Sequence, residues 1–403
     1  MLPPFPPPPP PPGLGHDPAI SIVITNRDYA AYLPAAIGSA LGQREARVEV
    51  LVVDDGSTDD SREIIASYGD GVRTLLLDGA GQKAAFNAAL EVVTGDVVLF
   101  LDADDALYPG TAAAVAAAFA DHPGAARAVF RLDVVDGDGR SSGACVPPAA
   151  KPLPHGDVRQ EVLTHPDDLP WPPTSGNAFA AWALRRVLPM PDDGHRTGAD
   201  MWLHPLIPLL GPVVALDEPG GLYRLHGANE HGRAQLDVER SRVILRRARI
   251  AHGALHTLAR ELGLGPATPR SITIAVHRLL SLRLAGAGHP VAGDTLRRAL
   301  GAGLRAAHAR RDVGRARRAA YAGWFCSPRS RRRPPCGCSP TPRCSRCGRV
   351  RCAGDCGGHE APRRAPAPRQ RDLPGKRPAR RDARGARGAA RPVARALRAG
   401  DPG

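Results

Sequence analysis

Val97-Val98-Leu99-Phe100-Leu101-Asp102-Ala103-Asp104-Asp105 is an apolar run that ends abruptly in three carboxylates. With no polar alternation and no turn residue, the run reads as a strand buried on both faces, as the strands of parallel sheets are. The carboxylates then stand at its carboxyl end, the edge of an open α/β sheet where ligands bind. Carboxylates packed this closely raise one another's pKa unless a cation sits among them. Hard oxygen ligands suit Mg²⁺ or Mn²⁺, and Mg²⁺ is commonly held between one or two carboxylates and substrate phosphates. For such a stretch taken alone, the plainer alternative is a solvated strand-to-helix loop with Asp105 as a helix cap.

The flanking chain repeats the same grammar. Ile20 to Thr25 is a first strand, broken by Asn26-Arg27-Asp28, and a helix follows from about Tyr32 to Leu41. Val48 to Val53 is a second strand stopped by Asp54-Asp55-Gly56-Ser57-Thr58-Asp59, where Gly56 permits a tight turn and Ser57, Thr58 or Asp59 can cap the next helix. Val72 to Leu77 is a third strand, and Gln82 to about Val93 a helix that Gly95 ends before the acidic strand. Strand and helix alternating at this spacing predict a mostly parallel, Rossmann-like α/β sheet with right-handed crossovers and helices on its faces.

Further on, the pattern predicts a helix from about Pro109 to Ala120, a strand over Ala128 to Val135 and a hairpin-like turn at Asp136-Gly137-Asp138-Gly139. Prolines recur from Val146 to Pro173 and predict an irregular loop region. Order resumes at Gly176-Asn177-Ala178-Phe179. Arg196 to Leu203 leads into a short helix through about Leu210, and Val213 to Leu216 and Gly221 to Leu225 read as strands. Leu236 to Leu262, Ser271 to Leu284 and Ala292 to Ala320 have helical spacing with many arginines, a helical appendage whose basic faces would suit an anionic membrane surface.

Four segments result: a proline-rich leader (1–18), an α/β domain (19–235), the helical appendage (236–324) and a basic Cys/Pro/Arg-rich tail (325–403). The net charge of +14 belongs to the tail. Residues 325–403 hold 21 of the 54 Lys and Arg but 5 of the 40 Asp and Glu, which leaves 33 against 35 in the body. The high charge is therefore no argument for a nucleic-acid partner of the folded part. Seven of the eight cysteines, Cys326 to Cys356, also lie there, so the body has no disulfide framework and suits a reducing, cytoplasmic compartment. No signal peptide is visible, and no apolar run approaches the ~20 residues that span a membrane. The inner membrane face is then reached only by peripheral contact.

The leader reads as an extended polyproline segment. The tail cannot bury a core, so its composition predicts disorder. Cys336, Cys338, Cys344, Cys347, Cys352, Cys356 and His359 offer zinc-ligand types, but only Cys344 and Cys347 have the usual two-residue gap. The favoured reading is an out-of-frame translation of GC-rich DNA, because the composition changes mid-helix with no linker.

Taken together, Ile22-Val23-Ile24-Thr25-Asn26 with Tyr32-Leu33, Val52-Val53-Asp54-Asp55-Gly56-Ser57-Thr58-Asp59, Gly81 to Ala89, and Thr94-Gly95-Asp96 leading to Leu101-Asp102-Ala103-Asp104-Asp105 form an ordered series. Ala199-Asp200-Met201-Trp202-Leu203 and Leu222 to Asn229 follow more loosely. Over roughly residues 20–232 the chain resembles the family 2 glycosyltransferases with the GT-A fold. The resemblance implies an inverting glycosyltransferase that moves a sugar from a nucleotide-diphosphate donor to a saccharide or lipid-linked acceptor, in cell-surface polysaccharide or glycoconjugate synthesis. It implies that Thr25 and Asp55 contact the base and ribose, that Lys83 and Asn87 lie beside the donor, and that Asp102 approaches the ribose. Asp104 would bind the Mg²⁺ or Mn²⁺ on the diphosphate, His226 would add a contact to metal or phosphate, and Asp200 would be the general base. Where the family often has a tyrosine that stacks on the base, this chain has Arg27, and a guanidinium can stack too. Where the base often has an acidic neighbour, this chain has Ala199. Two rivals stay open. A nucleotidyltransferase usually carries a Gly-rich loop after its first strand, and Thr25 to Ala31 has no glycine. A non-catalytic nucleotide-sugar-binding module would not need Asp104 and Asp200.

Overall fold

A computed structural model of the protein describes residues 17–192, 197–227, 238–284, 288–310 and 314–326. Leader residues 1–16, tail residues 327–403 with six of the tail's seven cysteines, Arg196, and the Ala228-Asn229 end of the last motif lie outside the described residues.

The strands are β1 (Ile20–Asn26), β2 (Val48–Asp55), β3 (Arg73–Leu77), β4 (Val97–Asp102), β5 (Ala106–Leu107), β6 (Arg127–Val129), β7 (Leu132–Asp136), β8 (Ser141–Val146), β9 (Asn177–Ala180), β10 (Val213–Ala215) and β11 (Gly221–Leu225). The helices of the α/β body are α1 (Leu33–Leu41), α2 (Ser61–Ser67), α3 (Gln82–Val92), α4 (Thr111–Asp121), α5 (Arg159–Thr164), α6 (Ala181–Val187) and α7 (Asp200–Leu206). The appendage contains α8 (Val238–Glu261), α9 (Ile272–Leu284), α10 (Leu296–Ala309) and α11 (Arg315–Cys326).

The main sheet has seven strands in the order β10-β6-β9-β4-β1-β2-β3. The acidic strand β4 sits at its centre, and Val97 to Leu101 are fully buried, as a strand covered on both faces must be. Its parallel partner β1 sets Thr25 level with Asp102, and the pairing of β1 with β2 sets Asn26 level with Asp54. Three polar strand ends thereby share one edge. Helix α3 covers the sheet through Phe86, whose ring stacks on Phe100 of β4 with centroids 3.7 Å apart.

Two features depart from the expected pattern. The apolar stretch Ala128 to Val135 is not one strand: it breaks at Phe130-Arg131, so β6 belongs to the main sheet and β7 to a second sheet ordered β5-β11-β7-β8. The element after Gly176, β9, enters the main sheet antiparallel between β4 and β6. The turn at Asp136 to Gly139 does close a hairpin, β7 to β8, with Gly139 N–H donating to Asp136 O at 3.0 Å. Inside the proline-rich stretch, α5 is a short helix that the proline spacing did not suggest.

The appendage is not uniform. Leu255, Leu258 and Ala259 of α8 belong to the main core, while Ile272 to Leu280 of α9 gather with Ala299, Ala306, Ala307 and Phe325 in a second cluster. Helix α11 therefore carries on through Phe325 and Cys326, past the boundary at residue 324 that composition alone suggested. Among the described residues, no helix is long and apolar enough to cross a membrane.

Candidate active site

The carboxyl ends of β1, β2 and β4 open into a cavity of about 180 Å³. Thr25, Arg27, Asp55, Asp102, Asp104 and Asp200, all expected at the site, line it together. Each comes from a different strand end, loop or helix start, so the juxtaposition is a product of the topology.

Asp55 ends β2 and is buried. Its Oδ2 accepts from the Gly81 backbone N–H, just before α3, at 2.9 Å. Gly56 makes the turn with φ +75°, and a Cβ there would stand 2.9 Å from Gly79 N, so glycine is required on both counts. Arg27 reaches back to the same residue: Nη1 donates to Asp55 O at 2.7 Å and lies 3.7 Å from Asp55 Oδ2. Beneath them, buried Asp54 accepts from Asn26 Nδ2 and from Arg62 Nε, each at 2.9 Å, and from Ser57. Burial alone would push the Asp54 carboxyl up, but these donors outweigh it and hold the group low.

The three carboxylates that end β4 have separate tasks. Asp105 is not a helix cap. It is buried, with Oδ2 accepting from Ser175 Oγ at 2.6 Å and Oδ1 from Arg224 N–H at 3.0 Å. Burial first, then the charges of Asp104 and Asp102, push its pKa well up. Arg224 also donates through Nε to the Asp104 backbone carbonyl at 2.9 Å. Strand β11, antiparallel to β5, thus ties itself to the acidic turn and carries His226 with it. His226 Nε2 meets Asp104 Oδ2 at 2.9 Å, and its ring stacks on Tyr32 with centroids 4.8 Å apart. Tyr223, on the same strand, lines the cavity, and burial with the surrounding carboxylates pushes its phenol up.

Asp200 is the first residue of α7, where Met201 N–H donates to its Oδ1 at 2.8 Å. The helix is anchored by Trp202, whose Nε1 donates to Val187 O at 2.9 Å. Electrostatically coupled to Asp200 is Arg127 of β6, a fully buried guanidinium that donates to Asn177 Oδ1 and lies 4.1 Å over the Trp171 ring. Burial pulls the Arg127 pKa down to about 9, against which the charge of Asp200 acts.

Lys83 and Asn87 are not among the residues lining this cavity. They stand four apart on α3 and share a helix face. Asn87 exchanges two hydrogen bonds with the backbone of Met190, at 3.1 and 2.8 Å, and Lys83 lines a separate small cleft beside Met190 and Trp202. The face of α3 turned to the cavity is instead that of Gln82 and Ala85. Gln82 carried no signal beyond its place after Gly81, and Arg127 looked like any strand residue.

Among the described residues, no group of three or more His, Cys, Asp or Glu is arranged to hold a metal. The Asp104 carboxylate, 2.9 Å from His226 Nε2, is the hard oxygen type of ligand that Mg²⁺ takes, an ion that completes its shell with water and substrate phosphate.

A mostly parallel sheet with carboxylates at its carboxyl edge and a further carboxylate on a separate helix defines an α/β protein with its ligand site at that edge. The family model for glycosyl transferase family 2 matches residues 21–148, so this stretch of the chain belongs to that family. It is 34% identical over 218 residues to an uncharacterized glycosyltransferase of Nostoc sp., covering 53% of this chain and 66% of that one. It is 37% identical over 95 residues to the succinoglycan biosynthesis protein ExoU of Rhizobium meliloti, 23% of this chain and 28% of that one. The chain thus spans just under two thirds of the first relative and under a third of the second. Residues 1–349 of S. aureus TarS, crystallised with UDP-GlcNAc, align with a TM-score of 0.47 at 16% identity, over 72% of this chain and 81% of that one.

Proposed function

We propose that the protein transfers a sugar from a nucleotide-diphosphate donor to an acceptor hydroxyl, with inversion at the anomeric carbon. The observation that carries this reading is the shared cavity of Thr25, Asp55, Asp102, Asp104 and Asp200. Thr25, Asp55 and Asp102, at the ends of three adjacent strands, suit a nucleoside whose base and ribose lie across the sheet edge. Arg27 stands beside Asp55 and can cover the base. Asp104 and His226 are the residues that would hold Mg²⁺ or Mn²⁺, which when bound offsets charge on the leaving diphosphate.

Asp200 takes the proton of the acceptor hydroxyl as that oxygen attacks. One base acting in one displacement inverts the configuration. The relationship to ExoU supports a saccharide acceptor, free or lipid-linked, in polysaccharide synthesis. The basic helices of the appendage are compatible with peripheral contact at the inner membrane face.

The test is nucleotide-sugar hydrolysis, with and without Mn²⁺, across UDP-, GDP- and dTDP-linked hexoses. Sugar release that depends on Mn²⁺ with at least one donor is expected. Nucleotide monophosphate transfer, or binding with no turnover of any donor, would replace the reading with one of its rivals.

A further inference from the structure

Gln82 opens α3 and lines the cavity, and its amide faces two ways. Nε2 donates to Asp102 Oδ1 at 3.2 Å. Oε1 accepts from the backbone N–H groups of Gly198 at 3.2 Å and Ala199 at 3.3 Å. Only this orientation of the amide is consistent, because a carboxylate accepts and two N–H groups donate. The bridge runs from the strand end expected to hold the donor to the two residues that precede Asp200.

The same segment is held from its other side. Arg247 of α8 donates through Nη2 to Thr197 Oγ1 at 3.3 Å. Its guanidinium lies 2.5 Å from where a Cβ on Gly198 would be, and Gly198 has φ +90°, so a side chain there is excluded twice. Residues 197–199 are therefore fixed between α3 and α8, with Gln82 as the inner contact.

We propose that Gln82 is a positioning residue that sets the base Asp200 against the donor through Asp102; the inference rests on Asp200 being the base. Gln82→Leu keeps the approximate size and removes all three hydrogen bonds. Gln82→Glu keeps an acceptor for the Gly198 and Ala199 amides but sets a second carboxylate against Asp102.

Hydrogen exchange followed by mass spectrometry on the full chain tests the bridge without substrate. Gln82→Leu should raise exchange in a peptide covering 197–206 at a near wild-type Tm, and Gln82→Glu should raise it less. Hydrolysis of the best donor from the panel, with Mn²⁺, reads the consequence. Gln82→Leu should lower kcat by about 10²-fold, the cost of a base misplaced by an ångström, with little change in donor KM. The loss in Gln82→Glu should fall mainly on donor KM. In an Asp200→Asn background Gln82→Leu should cost almost nothing more, because the group it places is gone. Unchanged exchange in Gln82→Leu, or multiplied losses in the double variant, would overturn the proposal. Full activity in Asp200→Asn would overturn the base itself. Loss in Asp200→Asn with none in Gln82→Leu would overturn the bridge alone.

Discussion

Asp104 Oδ2 and His226 Nε2 lie 2.9 Å apart although 122 residues separate them in the chain. The pairing exists because β11 lies against β5, immediately after the acidic turn, and because Arg224 fastens the Asp104 carbonyl. On the proposed reading, this is the pair that would meet the metal and the donor's phosphate oxygens.

Asp104→Asn should abolish the dependence of donor affinity on Mn²⁺ while leaving the fold intact. The amide is isosteric and can still bond His226, and the Asp104 backbone carbonyl still holds Arg224. Titration calorimetry with a hydrolysed nucleotide sugar, with and without Mn²⁺, checks this. An unchanged response to Mn²⁺ would remove Asp104 as a ligand.

Asp200→Asn should lower transfer by roughly 10²–10⁴-fold, the usual size of general-base catalysis, and leave donor affinity within a few-fold. Asparagine can accept the Met201 N–H as Asp200 does, so the start of α7 is preserved. Initial rates at saturating donor decide the matter: a residue that only stabilised the helix would tolerate the change.

His277 of α9 makes stability depend on pH. Burial first, then the charge of Arg240, pull its imidazole from 6.5 down to about 4, and its Nδ1 meets Ser241 Oγ at 3.1 Å. The unfolded chain therefore binds a proton at a pH where the fold does not. The contribution is complete above about pH 6.5 and lost as pH falls toward 4, by about 1.4 kcal/mol per unit. Urea midpoints between pH 7 and 4 should fall more steeply for the wild type than for His277→Gln. Parallel curves would show that another group governs this range.

Phe325 should matter to the appendage even though the composition changes at that point. It is buried among α9, α10 and α11, and a Cβ on Gly303 would stand 2.2 Å from its ring. Phe325→Ala should cost about 3–5 kcal/mol in that cluster, as large-to-small core changes do. Thermal unfolding of the variant beside the wild type measures it, and an unshifted transition would mean that Phe325 is dispensable.

Much of the fold was legible in the residues themselves. The unbroken apolar runs of β1, β2 and β4 say that both faces are covered, and the polar residues that end them mark the sheet edge. Asp102 and Asp104 could be marked from that pattern, since parallel strands bring their carboxyl ends to one edge, and the resemblance to the family added Thr25 and Asp55.

What depends on distant chain could not be read locally. Ala128 to Val135 is uniformly apolar, yet the partners available to each half send it into two sheets. Asp105 resembles a cap until Ser175 and β11 arrive to bury it. Lys83 and Asn87 sit in the motif stretch, but a helix shows only one face to the cavity, and packing against Met190 decided that it would be the face of Gln82. Sequence determined the strands and the chemistry at their ends, because burial and turn formation are set by neighbouring residues. Tertiary structure decided which side chains meet, because Gln82 and Gly198, or Asp104 and His226, are brought together only when strands and helices far apart in the chain pack into one body.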